Sequence, residues 1–216
     1  MNLFTPLAWS DTGFILTGVF NTVLISVVAI LFGTLMGILV GFLRAESNKY
    51  VNLALGGVLD TLRSVPLIIQ LILFSTFVGV IGFPLDPFVS GSIVFSFYTM
   101  SFMSEVFRSG FKNVPMSLRK AARSLGMTYG QTIRYIMLPI GMRSVFPSWI
   151  GVALSVIKDS ALVSYIGYME LLRTAEQLIS RTQQPLMILI GVGIFYFMIS
   201  YPLSLYGKHV ERKMKI

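Results

Sequence analysis

The chain alternates long apolar runs with short polar breaks, and each run has the length of a membrane crossing. Five runs stand out: about 14–43, bounded by Gly13 and the polar RAESNK; about 50–82, ending in the turn-forming GFPLDP; about 87–107; about 142–166, interrupted by Lys158 and Asp159; and about 185–206. A ~30 Å hydrocarbon layer takes about 20 apolar residues in helical form, so each run predicts one transmembrane helix. The first two exceed about 25 residues, which predicts tilt or extension beyond the bilayer. One stretch breaks the pattern. Between the third and fourth runs lies SLRKAARSLGMTYGQTIRYIMLPIG, residues 117–141. Read as a helix, its Leu118, Ala121, Ala122 and Leu125 share one face at i, i+3, i+4, i+7 spacing, while Arg119, Lys120 and Arg123 take the flank and the opposite face. Gly126 breaks the pattern, and Pro139 marks where the chain leaves it.

Composition agrees with the runs. Of 216 residues, 55% are hydrophobic and 12% charged, about half the charge of an ordinary soluble domain. The mean hydropathy is +0.78. The fold class expected is an all-α integral membrane protein of about five transmembrane helices, read as a single domain over 1–216. A net charge of +8 raises the question of nucleic acid. The basic residues sit beside apolar runs rather than along a soluble face, so nucleic acid is excluded and lipid headgroups are the expected neighbours. With no cysteine, disulfides and thiol chemistry are ruled out. The single histidine, His209, has no cluster of acids, and neither a metal site nor a catalytic residue is expected. No Lys or Arg precedes the first run, so the start lacks the basic region of a cleavable signal and the first helix is expected to be kept.

The cations orient the runs. Arg44 and Lys49 fall between runs one and two. Arg108, Lys112, Arg119, Lys120, Arg123, Arg134 and Arg143 fall between three and four, and Lys208, Arg212, Lys213 and Lys215 follow the fifth. Only Arg63, Lys158, Arg173 and Arg181 of the 17 lie elsewhere, the last two offset by Glu170 and Glu176. The positive-inside rule then places the N-terminus outside, the C-terminus inside and residues 117–141 in the cytoplasm. Two roles are open for that basic segment: lying on anionic headgroups, or docking a cytoplasmic partner. Adjacent Ala121 and Ala122 offer little area for lipid insertion but permit close approach by a protein groove, which favours docking.

The segment also resembles a known one. KAARSLGMTYGQTIRYIMLP is similar to the EAA loop of ABC importer permeases, whose pattern is E-A-A, three residues, G, nine residues, I-x-L-P. Ala121, Ala122, Gly126, Ile136, Leu138 and Pro139 match at that spacing; Lys120 stands where the acid is usual. LRSVPLIIQL (62–71), YTMSFMSEVFRSGFKNVP (98–115) and IKDSALVSYIGYMELLRTA (157–175) resemble stretches of the polar amino-acid branch, the histidine-, glutamine- and arginine-type permeases. The resemblance covers nearly the whole chain. It implies a multi-pass protein of the bacterial cytoplasmic (inner) membrane, working by alternating access. Its coupling loop, about 117–139, would sit in a cleft of a cytoplasmic ATPase. The implied partners are two ATPase subunits, a second permease copy or homologue, and an extracytoplasmic substrate-binding protein.

No G-x-x-x-x-G-K-[ST] phosphate loop occurs in the sequence. ATP and Mg are therefore expected on the partner ATPase, with no cofactor and no enzymatic activity in this chain. Lys120 reverses the charge that the family's glutamate is thought to present to the ATPase. Either the ATPase carries a compensating acid, or the chain is one half of a heterodimer whose other half keeps the glutamate; the second account is preferred.

Asp60, Arg63, Lys158 and Asp159 are the informative charges within the runs. At ~1.5 Å per residue, Arg63 lies ~20 Å along the second run from Tyr50, and Lys158 ~22 Å along the fourth from Arg143. An ionised group in the bilayer centre costs at least ~2.5–3.5 kcal/mol, so it faces a cavity or a partner. Asp60 and Arg63 are i, i+3 neighbours and can neutralise each other; Lys158 and Asp159 are adjacent and need separate partners. Because buried pairs seldom gain net stability, a polar substrate pathway is preferred. There Arg63 would hold an α-carboxylate, Asp159 would attract an α-ammonium or cationic side chain, and Pro66 would free backbone groups. Ser64, Gln70, Tyr98, Lys158 and Ser160 complete the candidate pathway. Glu105 and Arg108 form either an intrahelical pair or part of an inner gate. Gly33, Gly37 and Gly41 permit close helix approach, within the chain or between subunits.

The rivals are the same machinery for another small solute, such as methionine or an organic anion, a self-contained channel or secondary transporter, and a membrane enzyme. The docking-type loop and the lack of an internal repeat speak against the channel or secondary transporter; the absence of a His, Cys or carboxylate cluster speaks against the enzyme.

Overall fold

The computed structural model describes residues 7–214, which are mostly helical with no strand among them. In chain order the helices are α1 Asp11–Glu46, α2 Lys49–Ser64, α3 Leu67–Val80, α4 Pro87–Lys112, α5 Met116–Ser124, α6 Tyr129–Thr132, α7 Leu138–Asp159, α8 Leu171–Thr182 and α9 Pro185–Met214. A π-helical turn, Ile133–Met137, joins α6 to α7, and a 3₁₀ helix, Ser160–Ile166, follows α7.

The first, third and fifth apolar runs are each one helix, extended past the expected limits as α1, α4 and α9. The second run is two helices rather than one. Pro66 has no N–H to donate and biases Val65 away from helical geometry, so the chain breaks there and restarts as α3. The fourth run begins earlier than expected and does not stay α-helical: after Asp159 it tightens into the 3₁₀ helix, which Gly167 ends at φ 92°. Three helical stretches are long and apolar enough to cross a membrane: Asp11–Glu46, Tyr129–Ile166 and Pro185–Lys213. The bent pair of α2 and α3 makes a fourth. α4 has the length but is more polar, because Ser90, Ser96, Thr99, Ser101 and Ser104 line its buried side. Ser101 and Ser104 satisfy their hydroxyls on the carbonyls of Tyr98 and Ser101, at 2.6 and 3.0 Å. Such a helix suits a protein environment better than lipid.

The helices contribute to two compact units. One takes residues up to Ile30, Val65–Ser96 and Leu154–Leu203; the other takes Leu31–Ser64, Phe97–Ala153 and the residues from Ser204 on. In the first, α3 packs on the 3₁₀ helix, and Ala175, Leu178 and Ile188 form a buried cluster with Phe14 and Ile15 of α1 beside it. In the second, Met103, Phe107 and Phe111 of α4 and Val145 of α7 form the core, flanked by Ile38 and Phe42 of α1. The glycine ladder belongs to this second unit and serves packing within the chain. A Cβ added at Gly33, Gly37 or Gly41 would stand 2.4, 2.4 and 2.6 Å from Thr99, Met103 and the Ser104 carbonyl of α4. No side chain fits there, so α1 and α4 approach at backbone distance.

Candidate functional site

The basic segment folds as two short helices with a sharp corner between them. α5 starts at Pro115, whose fixed φ suits a helix entry. It ends in a Schellman arrangement: the Gly126 N–H donates to Arg123 O at 3.0 Å and the Met127 N–H to Ala122 O at 3.1 Å. This closure needs a left-handed residue, and Gly126 supplies it at φ 76°. Thr128 and Gln131 then form a capping box that starts α6: the Gln131 N–H donates to Thr128 Oγ1 at 3.3 Å, and the Thr128 N–H to Gln131 Oε1 at 2.8 Å.

The amphipathic face is divided in two. Ala122 is buried, at 3% exposure, and fixes α5 to its own unit. Leu118, Ala121 and Leu125 point outward, Leu125 at 82% exposure. Lys120 is exposed and forms no ion pair among the described residues. Past the corner, Ile136 and Leu138 are half-buried and Pro139 is exposed.

Glu46, the last residue of α1, ties this segment down. It accepts from Arg119 of α5 (Nη1–Oε1 3.2 Å) and from the Tyr129 hydroxyl of α6 (2.7 Å). The same Arg119 guanidinium donates through Nη2 to the Phe111 carbonyl near the end of α4, at 2.6 Å. Sequence analysis assigned Glu46 no role; its partners lie more than 70 positions away, and no local pattern announces them.

The candidate pathway residues divide between the units. Arg63, Ser64 and Tyr98 belong to the second; Pro66, Gln70, Lys158, Asp159 and Ser160 belong to the first. Arg63 is paired with Asp60 on α2, so the internal pair is present. Ser64 Oγ donates to the Asp60 carbonyl at 2.8 Å, and Tyr98 stacks at a tilt on Phe102 with centroids 4.9 Å apart. Pro66 caps α3, and Gln70 Nε2 donates back to Val65 O at 2.8 Å, closing the break in the chain. Lys158 is exposed, Asp159 half-buried, and Ser160 buried with its hydroxyl on Ile157 O at 2.7 Å.

Glu105 and Arg108 pair as their spacing suggests, but not alone. Arg44 of α1, 6% exposed, reaches the same carboxylate at 3.1 Å, so one acid bridges two arginines. Gly56 makes room on α2 for the Arg44 guanidinium, which would stand 3.1 Å from a Cβ there.

The connection between the fourth and fifth runs also differs from its expected charge offset. Arg173 pairs with Glu176 at 3.3 Å, and Arg181 pairs with Asp11. Glu170 offsets neither. It is fully buried and caps α8, accepting from the Leu172 and Arg173 N–H groups at 2.8 and 2.7 Å. The Thr22 and Tyr196 hydroxyls lie 3.4 Å from its Oε2. Burial pushes its carboxyl up to about 7, against the lowering pull of these four donors.

Comparison with known proteins places this geometry. The family model described as "binding-protein-dependent transport system inner membrane component" matches residues 30–216. The arginine transport system permease protein of Bacillus subtilis is 28% identical over 100% of this chain and 99% of its own. The glutamine transport system permease protein of Escherichia coli is 28% identical over 96% of each chain. A crystal structure of an amino acid ABC transporter with histidines superposes with a TM-score of 0.85 at 27% identity, covering 94% of both chains.

Proposed function

The chain belongs to the family of binding-protein-dependent transport system inner membrane components, and we infer that it is the transmembrane permease subunit of an ATP-driven importer for polar amino acids. It is a multi-pass protein of the bacterial inner membrane, and ATP hydrolysis belongs to a separate subunit. An ATPase and a substrate-binding protein are its partners. The finer proposal has five crossings, with the N-terminus outside and residues 117–139 in the cytoplasm as the ATPase-coupling loop. Lys120, Ala121, Ala122, Gly126, Ile136, Leu138 and Pro139 carry that loop. A polar pathway passes Arg63, Ser64, Pro66, Gln70, Tyr98, Lys158, Asp159 and Ser160, and a second permease subunit, preferably a different one, completes it.

One observation carries the coupling assignment: Ala122 anchors α5 inward while Leu118, Ala121 and Leu125 stand out of the unit amid Lys120 and Arg123. An exposed leucine on a rigid, capped helix supports docking into an apolar groove better than resting on headgroups, where a wide apolar face would be needed. The test is the whole transporter in proteoliposomes, assayed for ATP-dependent amino-acid uptake and for co-purification of the ATPase. Leu125→Glu is expected to cut co-purification at least tenfold while the chain still inserts, whereas Lys120→Glu retains assembly. An intact complex with Leu125→Glu would overturn the docking assignment. Wild-type uptake in both Arg63→Ala and Asp159→Asn would overturn the pathway.

A further inference from the structure

The coupling loop is flanked by points where the backbone gives no stiffness of its own. α4 ends at Lys112 and α5 begins only after Pro115, whose ring leaves no N–H to continue the helix. α5 and α6 meet at Gly126, a single left-handed glycine. A push on α5 alone would be absorbed at these two joints unless something across the loop bridged them.

The bridge is a knot of three side chains within the second unit. The Glu46 carboxylate receives Arg119 from one side of the Gly126 corner and Tyr129 from the other. Arg119 also donates to the Phe111 carbonyl, on the far side of the Pro115 joint. The guanidinium therefore spans one joint and the carboxylate spans the other. Arg119 and Glu46 are 20% and 23% exposed, partly covered yet still reached by water. The segment 117–141 has Arg119, Lys120, Arg123 and Arg134 and no acid; the acid it uses comes from α1.

We propose that Glu46 is a positioning residue for transport, locking both arms of the coupling loop to the end of α1 so that displacement of α5 moves α1 and α4 instead of bending the loop. This rests on the assignment of 117–139 as the ATPase-coupling loop. The Tyr129 hydroxyl is a donor to the carboxylate and the Arg119 fork is charge-assisted, so the two contacts separate by substitution.

The experiment uses the complete reconstituted transporter and measures substrate taken up per ATP hydrolysed. Glu46→Ala and Arg119→Ala are each expected to lower that ratio about five- to tenfold while the ATPase still co-purifies and hydrolyses ATP. Glu46→Asp, which keeps the accepting carboxylate and leaves Arg119 on the Phe111 carbonyl, is expected to recover at least half of the loss, a rescue that a general loss of folding would not give, and the double variant Glu46→Ala with Arg119→Ala is expected to lose no more than either alone. An unchanged ratio in Glu46→Ala, independent effects of the two positions, or loss of the ATPase from the Glu46→Ala complex would each overturn the proposal. Failure of the coupling-loop assignment shows differently, as an intact, active complex carrying Leu125→Glu.

Discussion

Glu46 and Glu170 each stand at the end of a helix, one in each unit, and are held by opposite means. Glu46 is the last residue of α1, where the helix dipole presents its negative end to a carboxylate. Arg119 and Tyr129 offset that repulsion from outside the helix. Glu170 caps the first turn of α8, where two free N–H groups and the positive end of the dipole already favour an anion. It needs no arginine, and its nearest side-chain partners are hydroxyls. Glu170 can be fully buried on dipoles alone, at the cost of a raised carboxyl. An acid placed against a dipole becomes a tie to distant segments; one placed with it becomes a local clamp.

Substitution should separate the clamp from the tie most strongly in stability. Glu170→Ala removes the cap and leaves the Leu172 and Arg173 N–H groups at the start of α8 without their acceptor, a loss of about 3–4 kcal/mol from cap and unmet hydrogen-bonding costs combined. Thermal unfolding of the detergent-purified complex should fall by roughly 10 °C; a fall of only a degree or two would mean that α8 is held by its packing alone. A smaller effect should appear with pH. The folded Glu170 carboxyl lies at about 7, above its ordinary 4.5, so the folded state binds the proton more tightly between those values. Its contribution is full below pH 4.5 and is lost as pH rises through 7, by no more than about 3 kcal/mol. Melting curves from pH 5 to 8 should show the decline in the parent and not in Glu170→Gln. The smallest stability change belongs to Glu46→Ala, at most about 1 kcal/mol, because its pair is water-accessible. A larger loss there would erase the distinction between the two acids.

The sequence made the loop legible where local geometry writes itself into residue type. Gly126 breaks the helix where the pattern puts a break, and Glu105 and Arg108 pair at the expected spacing. Ala121 and Ala122 part instead of sharing a face, one exposed and one buried, and Pro139 marks no exit, because it lies just inside α7 in a helical stretch that runs from Tyr129 to Ile166. Pairings over long separations were not legible. Arg44 joins Glu105 across 61 positions, and Arg119 finds Glu46 across 73. Glu170 looked like an offset for its arginine neighbours because charge counting ignores capping. Pro66 frees backbone groups, yet the apolar run continues through it and hides the break between α2 and α3.

The π-helical turn Ile133–Met137 closes with the Leu138 N–H on the Ile133 carbonyl, one residue wider than an α-turn. It sets the phase of everything after it. Each α-helical residue advances a face by about 100°, so deleting one residue between Gly126 and Pro139 would let the turn close as α and rotate Val145, Ile150 and Ala153 off the side they now bury. The nine residues separating Gly126 from Ile136 then read as an angular setting: they aim the long helix that follows, and a loop of any other length would aim it elsewhere.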